Sequence, residues 1–138
     1  MKTIHELQLE MDDIASRINA SQYRNEIAIP TTERVRGEPW YEVVDGKYYA
    51  YRNEERRAER YTTVIKDANE FLYLRTQILI GRMAGDWAMQ HRQPGVDPRR
   101  VLFAKKLELW GQVDKQWQQR ASAQIEKTLS RSPYKDNL

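Results

Sequence analysis

Between Thr3 and Asn19 the apolar residues Ile4, Leu7, Met11, Ile14 and Ile18 recur every three or four positions. That spacing gathers them into one stripe and predicts an amphipathic helix. Thr3 and Glu6 stand at the separation of a capping box at its start. The rhythm then shortens. "EIAIP" reads as a short strand ended by Pro30, and "WYEVVDGKYYAYR" alternates on either side of Asp45-Gly46. A type I′ turn needs positive φ at both central residues, so Asp-Gly between β-branched and aromatic runs predicts a two-residue hairpin. The turn dictates the register: Val44 opposite Lys47, Val43 opposite Tyr48, Glu42 opposite Tyr49, Tyr41 opposite Ala50 and Trp40 opposite Tyr51. A third strand from Arg57 to Thr63 completes a small antiparallel meander.

Strand parity divides the hairpin into two faces. Tyr41, Val43, Tyr48 and Ala50 share one and read as core. The other carries Glu42 and Lys47, which want water, beside Trp40, Val44, Tyr49 and Tyr51. Two readings of those rings stay open. A helix or loop covers them, or they form a binding surface, since Trp and Tyr bury much area with few rotors to freeze.

The period then lengthens again. Asp67 opens a long helix to about Arg92, with Ala68, Phe71, Leu72, Ile78, Leu79, Met83 and Trp87 expected on its buried side. Gly81 and Gly85, four apart, suggest close helix packing. "PGVDP" breaks the helix, and Asp97-Pro98 begins another with a capping carboxylate and a first-turn proline. Its apolar positions are Val101, Leu102, Leu107 and Trp110. A break between Gly111 and Asp114 lets Asp114 cap a last helix bearing Trp117, Ala121, Ile125 and Leu129, and Pro133 sets residues 132–138 apart as a tail. The order is an N-terminal helix, a meander, then three helices: an α+β fold, expected as a single domain over 1–138.

Composition removes several kinds of chemistry. There is no cysteine, hence no disulfide, thiolate zinc site or cysteine nucleophile. No apolar run approaches the roughly 20 residues of a membrane span, and "MKTIHELQLEMDD" is acidic and amphipathic where a secretory signal is basic then apolar, so a cytoplasmic protein without membrane attachment is expected. Net charge is +3, from 23 basic against 20 acidic residues in mixed runs such as "RNEERRAER", the pattern of a solvated surface.

The stretch with the most chemical side chains is "HRQPGVDPRR". His91 with Asp86 or Asp97 is the one serious candidate for a catalytic pair, yet it falls in the last turn of a helix, where a cation satisfies terminal carbonyls. Asp97 reads as a cap. Two separated histidines leave no metal site to predict, and "QPGVDP" enters from a helix and puts an acid where a phosphate would sit, so no cofactor is expected. Arg92, Arg99 and Arg100 cluster at this corner. They are either a phosphate-contacting patch of a small nucleic-acid-binding regulator, an alternative protein interface, or a structural clamp paired with Asp86 or Asp97.

Taken in order, "HELQLEMDDIASRI", "EVVDGKYYAY", "ERYTTVIKDANEFLYL", "HRQPGVDPRRVLFAKKLELWGQVDKQWQQR" and the closing "SPYKD" resemble the bacterial immunity protein 63 family across nearly the whole chain. The family pattern departs at Lys106–Trp110 and at Asp114-Lys115, with helix polarity and caps kept. The resemblance implies a cytosolic antitoxin of a polymorphic toxin or contact-dependent inhibition system. Such a protein binds the C-terminal domain of a cognate toxin and turns nothing over. It brings no contact residues with it. From the residues themselves, the expected toxin-facing set is Trp40, Glu42, Tyr49, Tyr51, Glu54 and Glu55, with the Arg92, Arg99 and Arg100 corner as the rival.

Overall fold

The capping box closes as its spacing requires: the Glu6 backbone N–H donates to Thr3 Oγ1 and the Thr3 N–H to Glu6 Oε1, each at 3.2 Å. These bonds start α1 (Ile4–Arg17) in the computed structural model, which describes residues 1–53 and 60–137. The chain divides into two units: Met1–Ala15 with Ser21–Thr76, and Ser16–Ala20 with Gln77–Leu138.

In the first unit Leu7 and Met11 of α1 are fully buried and Ile14 nearly so. The strand expected at "EIAIP" is absent, and α2 (Arg24–Ile27) stands there instead. Side chains take its backbone groups. Gln8 Oε1 accepts from the Ile29 N–H at 2.8 Å, and the Arg75 guanidinium donates to the Glu26 and Ala28 carbonyls at 2.8 and 3.2 Å. With those groups satisfied, no ladder is needed.

The meander is β1 (Trp40–Val44), β2 (Lys47–Asn53) and β3 (Arg60–Ile65), antiparallel in that order. Asp45 and Gly46 have φ of 48° and 77°, and all five expected pairs of the hairpin form. Pairs from Tyr48↔Ile65 to Asn53↔Arg60 add β3. That strand runs two residues beyond the expected end at Thr63, and positions 57–59 of the expected strand lie outside the described residues. Tyr41 and Tyr48 are buried against Phe71, with ring centroids 4.9 and 5.8 Å apart, while Val43 and Ala50 are half-buried.

Asp67 caps α3 (Ala68–Gln90) by accepting from the Glu70 N–H at 2.8 Å. The unit boundary falls inside this helix, after Thr76.

The second unit holds the rest of α3 with α4 (Pro98–Val113) and α5 (Lys115–Arg131). Ile78 and Trp87, expected inside, are each 40% exposed; Leu79, Ile80 and Ala84 are the buried positions of this part of α3. Nor do Gly81 and Gly85 serve close packing, because no atom of the described residues outside their own surroundings comes within 4 Å of where a Cβ would be. Leu109 and Trp110 supply the buried end of α4, and Trp110 meets Trp117 edge-on at 6.0 Å. Asp114 alone breaks α4 from α5, with extended backbone and a carboxylate that accepts from the Gln116 and Trp117 N–H groups at 2.8 and 3.0 Å. Among the described residues no helix is long and apolar enough to cross a membrane.

Candidate functional site

The outer face of the sheet is set by register alone. Alternation puts Trp40, Glu42 and Val44 of β1, Lys47, Tyr49 and Tyr51 of β2, and Thr62 and Val64 of β3 on one side. Trp40 and Tyr51 face each other across the strands with centroids 5.7 Å apart, and Tyr49 lies parallel to Tyr51 at 6.2 Å. The Tyr51 hydroxyl donates to Glu42 Oε1 at 3.0 Å. Each ring is therefore in contact with a neighbouring ring of the sheet. All three rings remain part-exposed, Val64 is 60% exposed and Val44 38%. A row of ordered aromatics with apolar neighbours and a carboxylate is suited to burying area against another protein at small entropic cost. Glu54 and Glu55, the other two residues expected here, lie outside the described residues. Val64 and Thr62 were not anticipated, since their side depends on the exact register of β3.

The arginine corner is built differently. Asp97 caps α4, accepting from the Arg99 N–H at 3.0 Å, and its other oxygen accepts from Arg99 Nη2 and from the Lys135 N–H, both at 2.8 Å. Arg99 also donates to the Ser132 and Pro133 carbonyls at 2.8 Å. Arg100 grips Asp136 through Nε and Nη2 at 3.0 and 2.8 Å, and Asp136 in turn accepts from the Asp97 N–H at 2.9 Å. Tyr134 sits under both guanidinium groups, 4.2 Å from Arg100 and 5.5 Å from Arg99. The Arg99 guanidinium, then the Lys135 N–H, hold the Asp97 carboxyl far below the usual carboxylate range; Arg100 and the Asp97 N–H lower that of Asp136. Both arginines are pushed up by the same bonds.

Two of the three corner arginines thus hold the 132–137 segment to the start of α4. Arg99 pairs with Asp97 as expected, but the partner of Arg100 is Asp136 from the tail, not Asp86, which lies 3.8 Å from Arg82. Arg92 is on the exposed turn before Asp97, beside Gln93 and Pro94. His91 stacks on Trp87 at 3.8 Å, and its Nδ1 lies 2.9 Å from the Trp87 carbonyl, the helix-end role its position implied. No carboxylate of the described residues is bonded to it.

The sequence model of a family described as immunity protein 63 matches residues 45–127, more than half of the chain. The chain belongs to the immunity protein 63 family. The matched range begins at the hairpin turn and takes in β2, β3, α3, α4 and most of α5, the corner at Pro94 to Arg100 included. The α1 helix, β1 and the tail residues of the clamp fall outside it, so of the sheet's outer face Tyr49 and Tyr51 lie within the family region and Trp40 and Glu42 do not. As a member of this family it is an immunity protein. No curated protein and no solved structure matches the chain.

Proposed function

We propose that this immunity protein protects its producing cell by binding the C-terminal domain of a cognate toxin in the cytosol, without turnover, and that the outer face of the sheet is the contact. The toxin would be encoded beside it in a polymorphic toxin or contact-dependent inhibition locus. The observation that carries this reading is the part-exposed row Trp40, Tyr51 and Tyr49 on one face of the sheet in a chain of the immunity protein 63 family. Binding of this kind needs hot spots and shape but no catalytic group. Glu42 adds a hydrogen-bonded carboxylate to the face, and Glu54 and Glu55 follow the end of β2 in sequence.

The test is a Tyr49→Ala, Tyr51→Ala double variant expressed with the toxin domain encoded next to it. Protection of the cells and affinity measured by calorimetry should both fall, with the melting temperature nearly unchanged. Full protection and unchanged affinity would remove the sheet face from consideration. Binding retained by the parent protein but not toxin inhibition would overturn neutralisation instead.

A further inference from the structure

Formal charge is not shared evenly along the chain. The unit built from Ser16–Ala20 and Gln77–Leu138 holds twelve lysines and arginines against six acidic residues, whereas the other unit holds eleven against fourteen. On α5 three of the four basic side chains are also aligned, Lys115 standing apart from them. Arg120, Lys127 and Arg131 are separated by seven and four residues, which places them on one flank of the helix, and Glu126 is turned away from that line. Gln124 lies on the same line.

Gln124 and Thr128 of α5 line a groove among α3, α4 and α5 with a volume of about 200 Å³, and helix spacing sets Lys127 and Arg131 next to those two residues. Ile80, Trp110 and Ala121 are buried at its floor; Phe103 and Ile125 form half-exposed walls. Gly81 keeps it open, with no atom of the described residues beyond its own helical surroundings within 4 Å of where a Cβ would stand. Lys106 lines it too, with its ammonium 5.7 Å from the Phe103 ring. Lys106, Lys127 and Arg131 are in no ion pair among the described residues. The volume is below the roughly 300–1,000 Å³ of a small-molecule site but is suited to a large apolar side chain.

We infer that this groove is a second docking surface, and that it takes an acidic amphipathic segment of a protein partner, one apolar side chain seated over Ile80 and Trp110 with carboxylates against Lys106, Lys127 and Arg131. The apolar floor needs an apolar anchor, and the basic border selects the charge of what surrounds it. A nucleic acid would satisfy the border but leave the floor empty. This inference does not depend on which surface binds the toxin.

Isotope-labelled protein titrated with a peptide of about twelve residues, leucine or phenylalanine at every third or fourth position and glutamate elsewhere, provides the test. Resonances of Ile80, Ile125 and the Trp110 indole should move while those of Tyr49 and Tyr51 stay. Affinity should fall at least tenfold in Gly81→Leu, which fills the groove with a better helix former, and in Lys106→Glu. It should also fall at least tenfold for the same peptide with lysine for glutamate or serine for the apolar positions. Equal binding of the serine peptide, shifts centred on the sheet, stronger binding of a single-stranded oligonucleotide, or no shift at millimolar peptide would each overturn the proposal.

Discussion

The outer face of the sheet and the arginine corner are both clusters of side chains with a high potential for binding, and the molecule uses them in opposite ways. On the sheet, strand register fixes the backbone and leaves one side of each ring open. At the corner, the Arg99 guanidinium and the Nε and Nη2 of Arg100 are taken by Asp97, Asp136 and the carbonyls of Ser132 and Pro133. A count of cations would have favoured the corner as an interface. What decides is where each donor's partner is, and for these two arginines the partners lie in their own chain.

The largest effect expected from breaking this contrast is on binding. Tyr49→Ala with Tyr51→Ala should cost about 3 kcal/mol or more of toxin affinity, roughly a hundredfold in Kd, by calorimetry, whereas Asp136→Ala at the corner should leave affinity unchanged and lower only the melting temperature. Arg75 sharpens the contrast from inside. It is fully buried and donates to two carbonyls, with its Nε without a partner. Arg75→Ala strands those carbonyls and opens a void, so denaturant unfolding should show a loss of about 3 kcal/mol, while Arg75→Met, which fills the space, should lose less.

Acid separates the regions next. Asp97 and Asp136 have carboxyls lowered by their arginines. Their contribution to stability is therefore complete above the ordinary carboxylate range, about pH 4, and is lost as pH falls through the lowered folded-state values. Tyr134 ring resonances should keep their folded shifts below about pH 4 and move on further acidification. Asp136→Asn should flatten that acid limb, and sheet resonances should not follow it. The smallest effect is a gain. Gly85 has open space at its Cβ position, so Gly85→Ala should stabilise the protein by about 0.5–1 kcal/mol in thermal melts without altering either region.

The hairpin, the capping box and the Asp97 and Asp114 caps were legible in the sequence because each rests on contacts within a few residues. So was the aromatic face, which needs only the turn and the parity of two strands. "EIAIP" was misread because its backbone partners, Gln8 and Arg75, lie far along the chain. Arg75 itself was invisible for the same reason: helical periodicity scores an arginine as exposed, and only the fold shows that carbonyls surround it. Ile78 and Trp87 extended an apolar stripe on α3, yet Trp87 is occupied by His91 and by the Lys105 ammonium 3.9 Å from its ring. Apolar spacing told which residues could be buried; it had no information on which would find cover. Asp136 as the partner of Arg100, thirty-six residues away, had no local signal at all.

The last turn of a helix is ordinarily where it begins to fray and where exchange with solvent starts. Beyond α5, however, the Lys135 N–H is bonded to Asp97 and the Asn137 N–H to the Gly95 carbonyl at 2.6 Å. Helices α4 and α5 are thereby closed into a loop whose two ends meet at Asp97, held by hydrogen bonds and by the Arg100–Asp136 ion pair with no covalent link. Opening one end requires opening the other. Amides near Thr128 and Ser132 should accordingly exchange on the schedule of the α4 start, and Asp97→Ala should speed both together.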